Sequence, residues 1–243
     1  MTVVGDTFGW LTTGSHWTGG EGIIHRSVEH AGYSVKAMAI AVVIALPIGL
    51  VTGHARRFGF LVLNTSGAAR AIPTLGLFVV VYHWRPVTEW PLLVCLVVIA
   101  VPPILANTYA GLVSVDPAGR DAAVGMGMTS WQVLRRVELP LAAPLVLTGI
   151  RSAAGQVIAT ATIARYGGLG GLGAFVLDGY KLRDYASVYG GAIVICGFVL
   201  AVEGGFAIMQ RLLTSPGLRN TSTIAEPAVR AAIERTVLDP AVN

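Results

Sequence analysis

The sequence predicts an all-α membrane protein with five transmembrane helices, because the chain is strongly apolar and its apolar residues fall into five long stretches. Of the 243 residues, 54% are hydrophobic and 12% are charged, whereas a soluble domain usually carries about 25% charged residues. The mean hydropathy is +0.68. So few charged side chains cannot form the polar surface of a soluble chain of this length, and the composition therefore indicates lipid as the solvent.

Each of the five stretches is long enough to cross a bilayer, which takes about 20 mostly apolar residues. The second stretch is the least regular, since Asn64, Ser66 and Arg70 dilute its first half. Prolines lie in or at the ends of several stretches, which membrane helices tolerate where neighbours satisfy the freed carbonyl groups. The predicted spans are approximately residues 32–53, 64–83, 91–111, 141–164 and 187–210.

The distribution of positive charge predicts the orientation of these spans. With five spans, the first loop, the third loop and the C-terminal tail share one side of the membrane, and they carry most of the arginines. Because positively charged loops stay in the cytoplasm, we expect the N-terminus outside and the C-terminus in the cytoplasm. The arginines of the expected cytoplasmic side are Arg56, Arg57, Arg120, Arg135, Arg136, Arg211, Arg219, Arg230 and Arg235.

Three regions follow from this arrangement. Residues 1–30 are expected to be an extracytoplasmic segment, as the charge distribution indicates, and not a cleaved signal peptide, because they lack its apolar core. Residues 31–213 would form the membrane domain. Residues 214–243 would form a polar, proline-containing cytoplasmic tail, loosely ordered apart from a short helix near 226–236.

The loop between the third and fourth spans is polar and begins with a helix-start signal. Asp116 offers a side-chain acceptor at the N-cap, and Pro117 occupies the first helical position. The helix is expected to run to about Met126. Gly127 is placed to end it in a left-handed conformation.

A second helix start follows at once, since Thr129-Ser-Trp-Gln132 fits a capping box, with Met128 and Val133 at the hydrophobic staple positions. Pro140 is expected to end this second helix before the fourth span begins. An amphipathic loop resting at the membrane interface, where Trp131 would sit comfortably, is one interpretation. A projection shaped to fit a partner is the other, and the careful capping of so short a helix favours it.

The same loop resembles the cytoplasmic signature of the integral membrane permeases of ABC importers. That signature reads Glu-Ala-Ala, three residues, Gly, nine residues, then an aliphatic residue, any residue and Leu-Pro. Asp121-Ala122-Ala123, Gly127 and Val137-Glu138-Leu139-Pro140 keep every spacing, with Asp in place of Glu. The resemblance implies the type I ABC importer permease fold, in which residues 116–140 are a coupling-helix loop that docks into a groove on a cytoplasmic ATPase subunit.

The resemblance also implies which residues dock. Small alanines would let the helix approach the ATPase closely, and Gly127 would make the bend between the two helices. The neighbouring residues of the loop complete the expected docking set, which is Asp121, Ala122, Ala123, Gly127, Met128, Trp131, Leu139 and Pro140.

Further stretches resemble the osmoprotectant branch of these permeases, whose members import glycine betaine, choline, carnitine or related quaternary amines. The resemblance implies a non-catalytic permease of the bacterial inner membrane. Its partners would be a second permease, identical or related, two cytoplasmic subunits that bind ATP and Mg, and an extracytoplasmic solute-binding protein. Another small solute such as an amino acid is an alternative cargo, since methionine-type permeases share the GGLG region and the coupling loop. The stretches are HWTGGEGI, RAIPTLGL, VPPILANTYAGLVSVDP, GIRSAAGQVIATATIA and RLLTSPGLR.

Other chemistry-bearing patterns are weak in this sequence. Gly168, Gly170 and Gly173 match a dinucleotide-binding pattern, but they follow a predicted span rather than a strand, so a flexible external connection is expected instead. The chain contains no phosphate-binding GxxxxGK[ST] loop. The histidines lack metal-ligand spacing, and a net charge of +4 does not indicate nucleic acid. We therefore predict no cofactor, metal or catalytic residue in this chain.

Two charged residues, Arg151 and Glu203, fall near the middle of predicted spans, where a charge costs about 2.5–3.5 kcal/mol on insertion scales. We expect them to face the interior and to pair, either as a packing salt bridge or in the substrate path.

A stand-alone ion-coupled transporter or a membrane-embedded enzyme is the alternative class of protein. The first would usually show paired acids within its spans, where this chain has Glu203 alone, and the second needs a catalytic cluster at one membrane face.

Overall fold

The computed structural model describes residues 3–60, 62, 64, 67, 72–84 and 88–213, and the regular secondary structure in these residues is helical throughout. The all-helical prediction is therefore confirmed. The helical elements are α1 (Val3–Thr12), a 3₁₀ turn (Gly14–His16), α2 (Ile23–His54), α3 (Thr74–Trp84), α4 (Trp90–Val113), α5 (Pro117–Gly125), α6 (Ser130–Val133), a π-helical segment (Leu134–Glu138), α7 (Leu139–Thr160), a second 3₁₀ segment (Ala161–Gly167), α8 (Gly173–Leu182) and α9 (Tyr185–Leu213).

Four helical stretches of the described residues are long and apolar enough to cross a membrane, namely α2, α4, the run Ser130–Gly167 and α9. They correspond to the first, third, fourth and fifth predicted spans. The second is represented by α3, whose 11 residues reach about 16 Å at 1.5 Å per residue, about half of the hydrocarbon core. The number of crossings therefore stays a prediction, and Ser66 and Arg70 lie outside the described residues.

The core lies where α2, α4 and α7 pack together. On α2 the buried positions recur every three or four residues, which places them on one face of the helix. Small side chains on this face let the helices approach closely, as is usual in membrane bundles. A Cβ atom added to Gly49 would lie 2.7 Å from Thr108 Cβ of α4, so glycine is required at this crossing. The buried face of α2 includes Ala37, Ala41, Ala45, Gly49 and Gly53.

One compact unit of the structure spans Met1–Phe206, and a second spans Ala207–Asn243. The described residues of the second unit are the last turns of α9. The predicted tail from 214 to 243, with its short helix near 226–236, lies outside the described residues. The predicted boundaries at residues 30 and 213 stay predictions.

The N-terminal segment is more structured than its sequence suggests. α1 forms within it, and α2 begins at Ile23, well before the predicted start of the first span at residue 32. The Trp10 ring stacks on His16 with 4.9 Å between ring centroids and meets Phe175 of α8 edge-on at 5.4 Å. α1 is thereby packed against the C-terminal half of the membrane unit.

The glycine-rich segment before α8 forms a close-packed turn against α2, and the flexibility expected of it stays a prediction. Gly168 and Gly171 adopt left-handed φ angles of +74° and +96°, which glycine tolerates without a steric cost. The Gly171 amide donates a 2.8 Å hydrogen bond to Glu29 Oε2 of α2. A Cβ atom on Gly170 would overlap the same carboxylate, so glycine at this position is explained by the approach of Glu29.

Candidate functional site

The first helix of the polar loop has the predicted boundaries to within one residue. Asp116 caps α5 by accepting a 3.0 Å hydrogen bond from the Ala118 amide. α5 ends at Gly125, and Gly127 follows with φ +81°. The Gly127 amide donates to Val124 O (2.9 Å) and the Met128 amide donates to Ala123 O (3.2 Å), which together form a Schellman motif.

The second helix begins with the predicted capping box. The Thr129 hydroxyl accepts from the Gln132 amide (3.4 Å), and Gln132 Oε1 accepts from the Thr129 amide (2.8 Å). The loop is thus fixed by hydrogen bonds between residues at most five positions apart. Each cap of this kind contributes about 1 kcal/mol to the stability of its helix.

The expectation that Pro140 ends the second helix is wrong. The chain stays helical from Ser130 to Gly167, and Pro140 lies in the first turn of α7. Proline lacks an N–H group and crowds the carbonyl four residues earlier, which normally breaks a helix. Here the π-helical segment Leu134–Glu138 comes first, and this locally wider turn lets the helix continue.

The expected docking residues share this loop but differ in exposure. Asp121, Ala122 and Gly127 are exposed, and Trp131 is 65% exposed. Ala123 is 2% exposed, so it packs against its own chain and only Ala122 of the two alanines is open to a partner. Adjacent residues of an α-helix point about 100° apart, which explains the difference. Of the other members, Pro140 is exposed, and Met128 and Leu139 are half-buried.

A buried carboxylate joins this loop to the end of α2. Glu138 is 1% exposed. Its Oε2 accepts a 2.5 Å hydrogen bond from His54 Nδ1, at the last residue of α2. Its Oε1 lies 3.3 Å from Arg120 Nε of α5. The other imidazole nitrogen of His54 lies 3.4 Å from the Ser130 hydroxyl, at the start of α6. Glu138 and His54 together therefore join α2, α5, α6 and the π-helical segment.

Arg56 fastens the entrance of the loop. Its Nη2 donates a 2.8 Å hydrogen bond to Val115 O, just before α5. Arg56 lies two residues after the end of α2 and has φ +49°, a conformation that non-glycine residues seldom adopt. The chain that enters the loop is thus held against the end of α2 next to the His54 contact.

Sequence reasoning did not assign a role to Glu138, because the signature allows any residue at that position. His54 was one of several histidines near span ends, and Arg120 was counted only as a positive charge. The contact joins residues 84 positions apart, and no short-range pattern indicates such a pair. An acidic residue directly before an apolar span was the one available clue.

The two charges within predicted spans form a separate site. Arg151 Nε of α7 and Glu203 Oε2 of α9 form an ion pair, so the expected pairing is confirmed. Their side chains are 37% and 28% exposed. Glu138 and Arg151 are thirteen residues apart on one helical run, about 20 Å along its axis, so this pair and the docking loop are distinct. Whether the pair has a role in transport stays a prediction.

Metal and thiol chemistry has no evident place in the described part of the chain. No three His, Cys, Asp or Glu side chains there lie together as metal ligands. Cys95 is a buried free thiol and Cys196 an exposed one.

Long apolar helices, two of which are connected by a capped polar loop, are typical of a helical integral membrane protein. Among such proteins, the chain belongs to the family of binding-protein-dependent transport system inner membrane components, whose model matches residues 45–218. The resemblance seen in the sequence is thereby confirmed. The protein is a permease of an ABC importer, the non-catalytic membrane subunit, and the family implies an ATPase, a second permease and a substrate-binding protein as partners.

Three transport permeases match this chain over almost their whole length. The glycine betaine/carnitine/choline transport system permease protein OpuCB of Bacillus subtilis is 28% identical over 86% of this chain and 96% of its own. The carnitine transport permease protein OpuCB of Listeria monocytogenes is 30% identical over 82% and 92%. The osmoprotectant import permease protein OsmW of Salmonella typhimurium is 30% identical over 81% and 99%.

Solved structures of the MetNI methionine ABC transporter in inward facing conformations have the same fold. One of its chains superposes with a TM-score of 0.68 at 22% identity, over 79% of this chain and 97% of that chain. A second crystal form gives 0.69 at 20% identity, over 79% and 96%. At this level of identity the likeness concerns the fold alone.

Proposed function

We propose that this permease imports a small compatible solute, with a quaternary amine such as glycine betaine, choline or carnitine as the cargo. The observation that carries the proposal is the group of relatives that cover most of the chain and are named for these solutes. An amino acid is the alternative cargo. The methionine transporter has the same fold, but at 22% identity that likeness does not favour its substrate.

We propose further that residues 116–140 are the coupling loop and dock on the cytoplasmic ATPase. Its two helices are capped and joined by a glycine bend, and this supports a preformed docking element over a loose amphipathic loop. Ala123 would support the surface from behind because it is buried. The residues proposed to contact the ATPase are Asp121, Ala122, Gly127, Met128, Trp131, Leu139 and Pro140.

The assembly would contain two ATPase subunits and a second permease that is either a copy of this chain or a relative. ATP and Mg would bind to the ATPase subunits. Closure of the ATPase pair would move the coupling loops and rock the two membrane bundles between inward and outward access. In this arrangement residues 1–30 lie outside, residues 31–213 cross the membrane five times and residues 214–243 lie in the cytoplasm.

Two substitutions in the loop test the docking role. Asp121→Lys reverses an exposed charge, and Gly127→Pro is incompatible with φ +81° at that residue. We expect both variants to lose ATP-driven uptake of radiolabelled glycine betaine, by failure to bind the ATPase or by hydrolysis without transport. The purified permease should keep its elution volume in detergent, because both substituted residues are exposed and face away from the bundle core.

Matched controls separate docking from general damage. Asp6→Lys reverses an exposed charge on α1 instead and should leave uptake unchanged. Gly127→Ala meets no atom within 4 Å, so its defect should be milder than that of Gly127→Pro, about 1–2 kcal/mol of backbone strain. Full uptake in both loop variants would refute the docking role. ATP-driven uptake of an amino acid but not of quaternary amines would refute the cargo and leave the docking role intact.

A further inference from the structure

Glu138 is the one carboxylate among the buried polar and charged residues of the described chain. An acidic side chain is seldom fully buried unless it is paired, because removing its charge from water is costly. Here both oxygens have partners, His54 Nδ1 at 2.5 Å and Arg120 Nε at 3.3 Å. An apolar side chain of the same size at this position would often be as stable or more stable, because a buried charge loses its hydration. Stability alone therefore does not explain a glutamate here, and the residue is expected to have a further role.

Glu138 and its two partners lie on three different helical elements, which only their side chains join at this point. His54 ends α2, Arg120 is in the first turn of α5, and Glu138 itself is one residue before α7. Ser130, within reach of His54, starts α6. Both helices of the loop are thus tied through side chains to α2, a long core helix that packs along α4 and α7.

We propose that Glu138 is a positioning residue that carries movement of the docking loop into α2. The inference rests on the proposed docking of the loop on an ATPase, and it adds the route by which the movement enters the membrane bundle. When the ATPase displaces α5 and α6, the paired carboxylate moves the C-terminal end of α2 with them. Without it, the loop would still bind the ATPase but would move independently of α2.

The test uses the assembled importer, with the binding protein and ATPase present. Glu138→Ala removes the contact of the loop with His54 Nδ1 of α2 and leaves the 3.4 Å contact between His54 and Ser130, whereas His54→Ala removes both links. We expect Glu138→Ala to retain the ATPase subunit during purification but to import about tenfold less glycine betaine per ATP hydrolysed, within the 5–150-fold range of couplings between sites. A purely structural defect would reduce hydrolysis and import together and would leave their ratio unchanged.

Further variants show whether the loss of the contact between Glu138 and His54 causes the lower ratio of import to ATP hydrolysis. Glu138→Gln keeps a hydrogen-bonding group of the same size, so it should restore most of the ratio lost in Glu138→Ala. Adding His54→Ala to Glu138→Ala should cause little further loss, since only the 3.4 Å contact of His54 with Ser130 is left to remove. Arg57→Ala, an exposed arginine that follows α2 and lies outside the docking loop, is the control and should behave as the wild type.

A distance measurement tests positioning without reference to the cargo. Spin labels at Val51 of α2 and Gly119 of α5, both exposed, would be attached in a cysteine-free background of the complex. The wild type should give one narrow distance distribution, with and without ATP, and Glu138→Ala should give a broader or ATP-dependent one. Unchanged distances together with a wild-type ratio in Glu138→Ala would overturn the inference.

The controls also separate this inference from the proposed function. If the wild-type permease retains no ATPase, the proposed docking fails whatever Glu138 does. If Asp121→Lys disrupts coupling as expected while Glu138→Ala couples normally, the inference alone fails.

Discussion

At the scale of single residues, this protein keeps the charges of its apolar regions in pairs. Arg151 with Glu203 is one such pair, and Glu138 with its two partners is another. The pairing follows from solvation, since a lone charge in lipid or in a protein core has neither water nor a counter-ion to stabilise it. Removing one partner should therefore be worse than removing both.

The Arg151 and Glu203 pair allows a direct test of this reasoning. Arg151→Ala and Glu203→Ala should each lower the free energy of unfolding in detergent, by up to about 2.5–3.5 kcal/mol for the unpaired charge and by less to the extent that water reaches it. The double variant should be no less stable than either single variant, because no unpaired charge is left. Thermal unfolding of the purified permease measures this.

Lys36 and Glu89 provide a matched control, since their 2.8 Å ion pair is more exposed, at 53% and 39%. An exposed pair contributes about 0–1 kcal/mol, so Lys36→Ala should have little effect. Losses that simply add in the Arg151→Ala/Glu203→Ala variant would contradict a mutual pairing and indicate that each side chain packs independently.

The residues also show why some contacts could be predicted from the sequence and others could not. Arg151 and Glu203 stand nearly alone in apolar spans, so each has few possible partners. Glu29 accepts from a backbone amide 142 positions away, and any glycine loop could have offered one. The glycine pattern was visible, but its cause, the approach of Glu29, depends on tertiary packing.

At the scale of secondary-structure elements, the predictions that succeeded depend on short-range interactions. The N-cap of α5, its glycine end and the capping box of α6 join residues at most five positions apart, so the sequence specifies them. α8 was missed because Leu172 at its N-cap makes no side-chain cap, so the usual start signal is absent. The prediction that Pro140 ends the second helix was wrong because proline breaks a regular α-helix, whereas here a π-helical segment precedes it.

The capping box can be tested within the loop itself. Thr129→Ala removes the hydroxyl that accepts from the Gln132 amide, at a cost of about 1 kcal/mol to the local helix. The Gln132 and Val133 amides, which both donate to Thr129, should then exchange with solvent about fivefold faster, since 1.4 kcal/mol corresponds to tenfold. Hydrogen exchange followed by mass spectrometry of this peptide measures it. Thr129→Ser keeps the acceptor and should exchange as the wild type, so equal rates in both variants would contradict the capping role.

At the scale of the whole membrane unit, α2 and α4 run in the same direction. His54 at the end of α2 meets Glu138, and Arg56 meets Val115 just after α4. At the other end, Lys36 of α2 contacts Glu89 directly before α4. Parallel neighbours require the chain between them to return across the membrane. This supports an additional crossing between α2 and α4, of which α3 is the described part.

The number of crossings decides on which side the loop lies relative to the N-terminus. With five spans the N-terminal segment and the loop face opposite sides, whereas with four they face the same side. Gly20 and Gly119 are matched reporters, since a Cβ atom at either meets nothing within 4 Å. In a background in which Cys95 and Cys196 are replaced, a membrane-impermeant maleimide should label Gly20→Cys in intact spheroplasts and Gly119→Cys only after permeabilisation. Labelling of both from outside would require four crossings, and it would place the loop where no cytoplasmic ATPase could reach it.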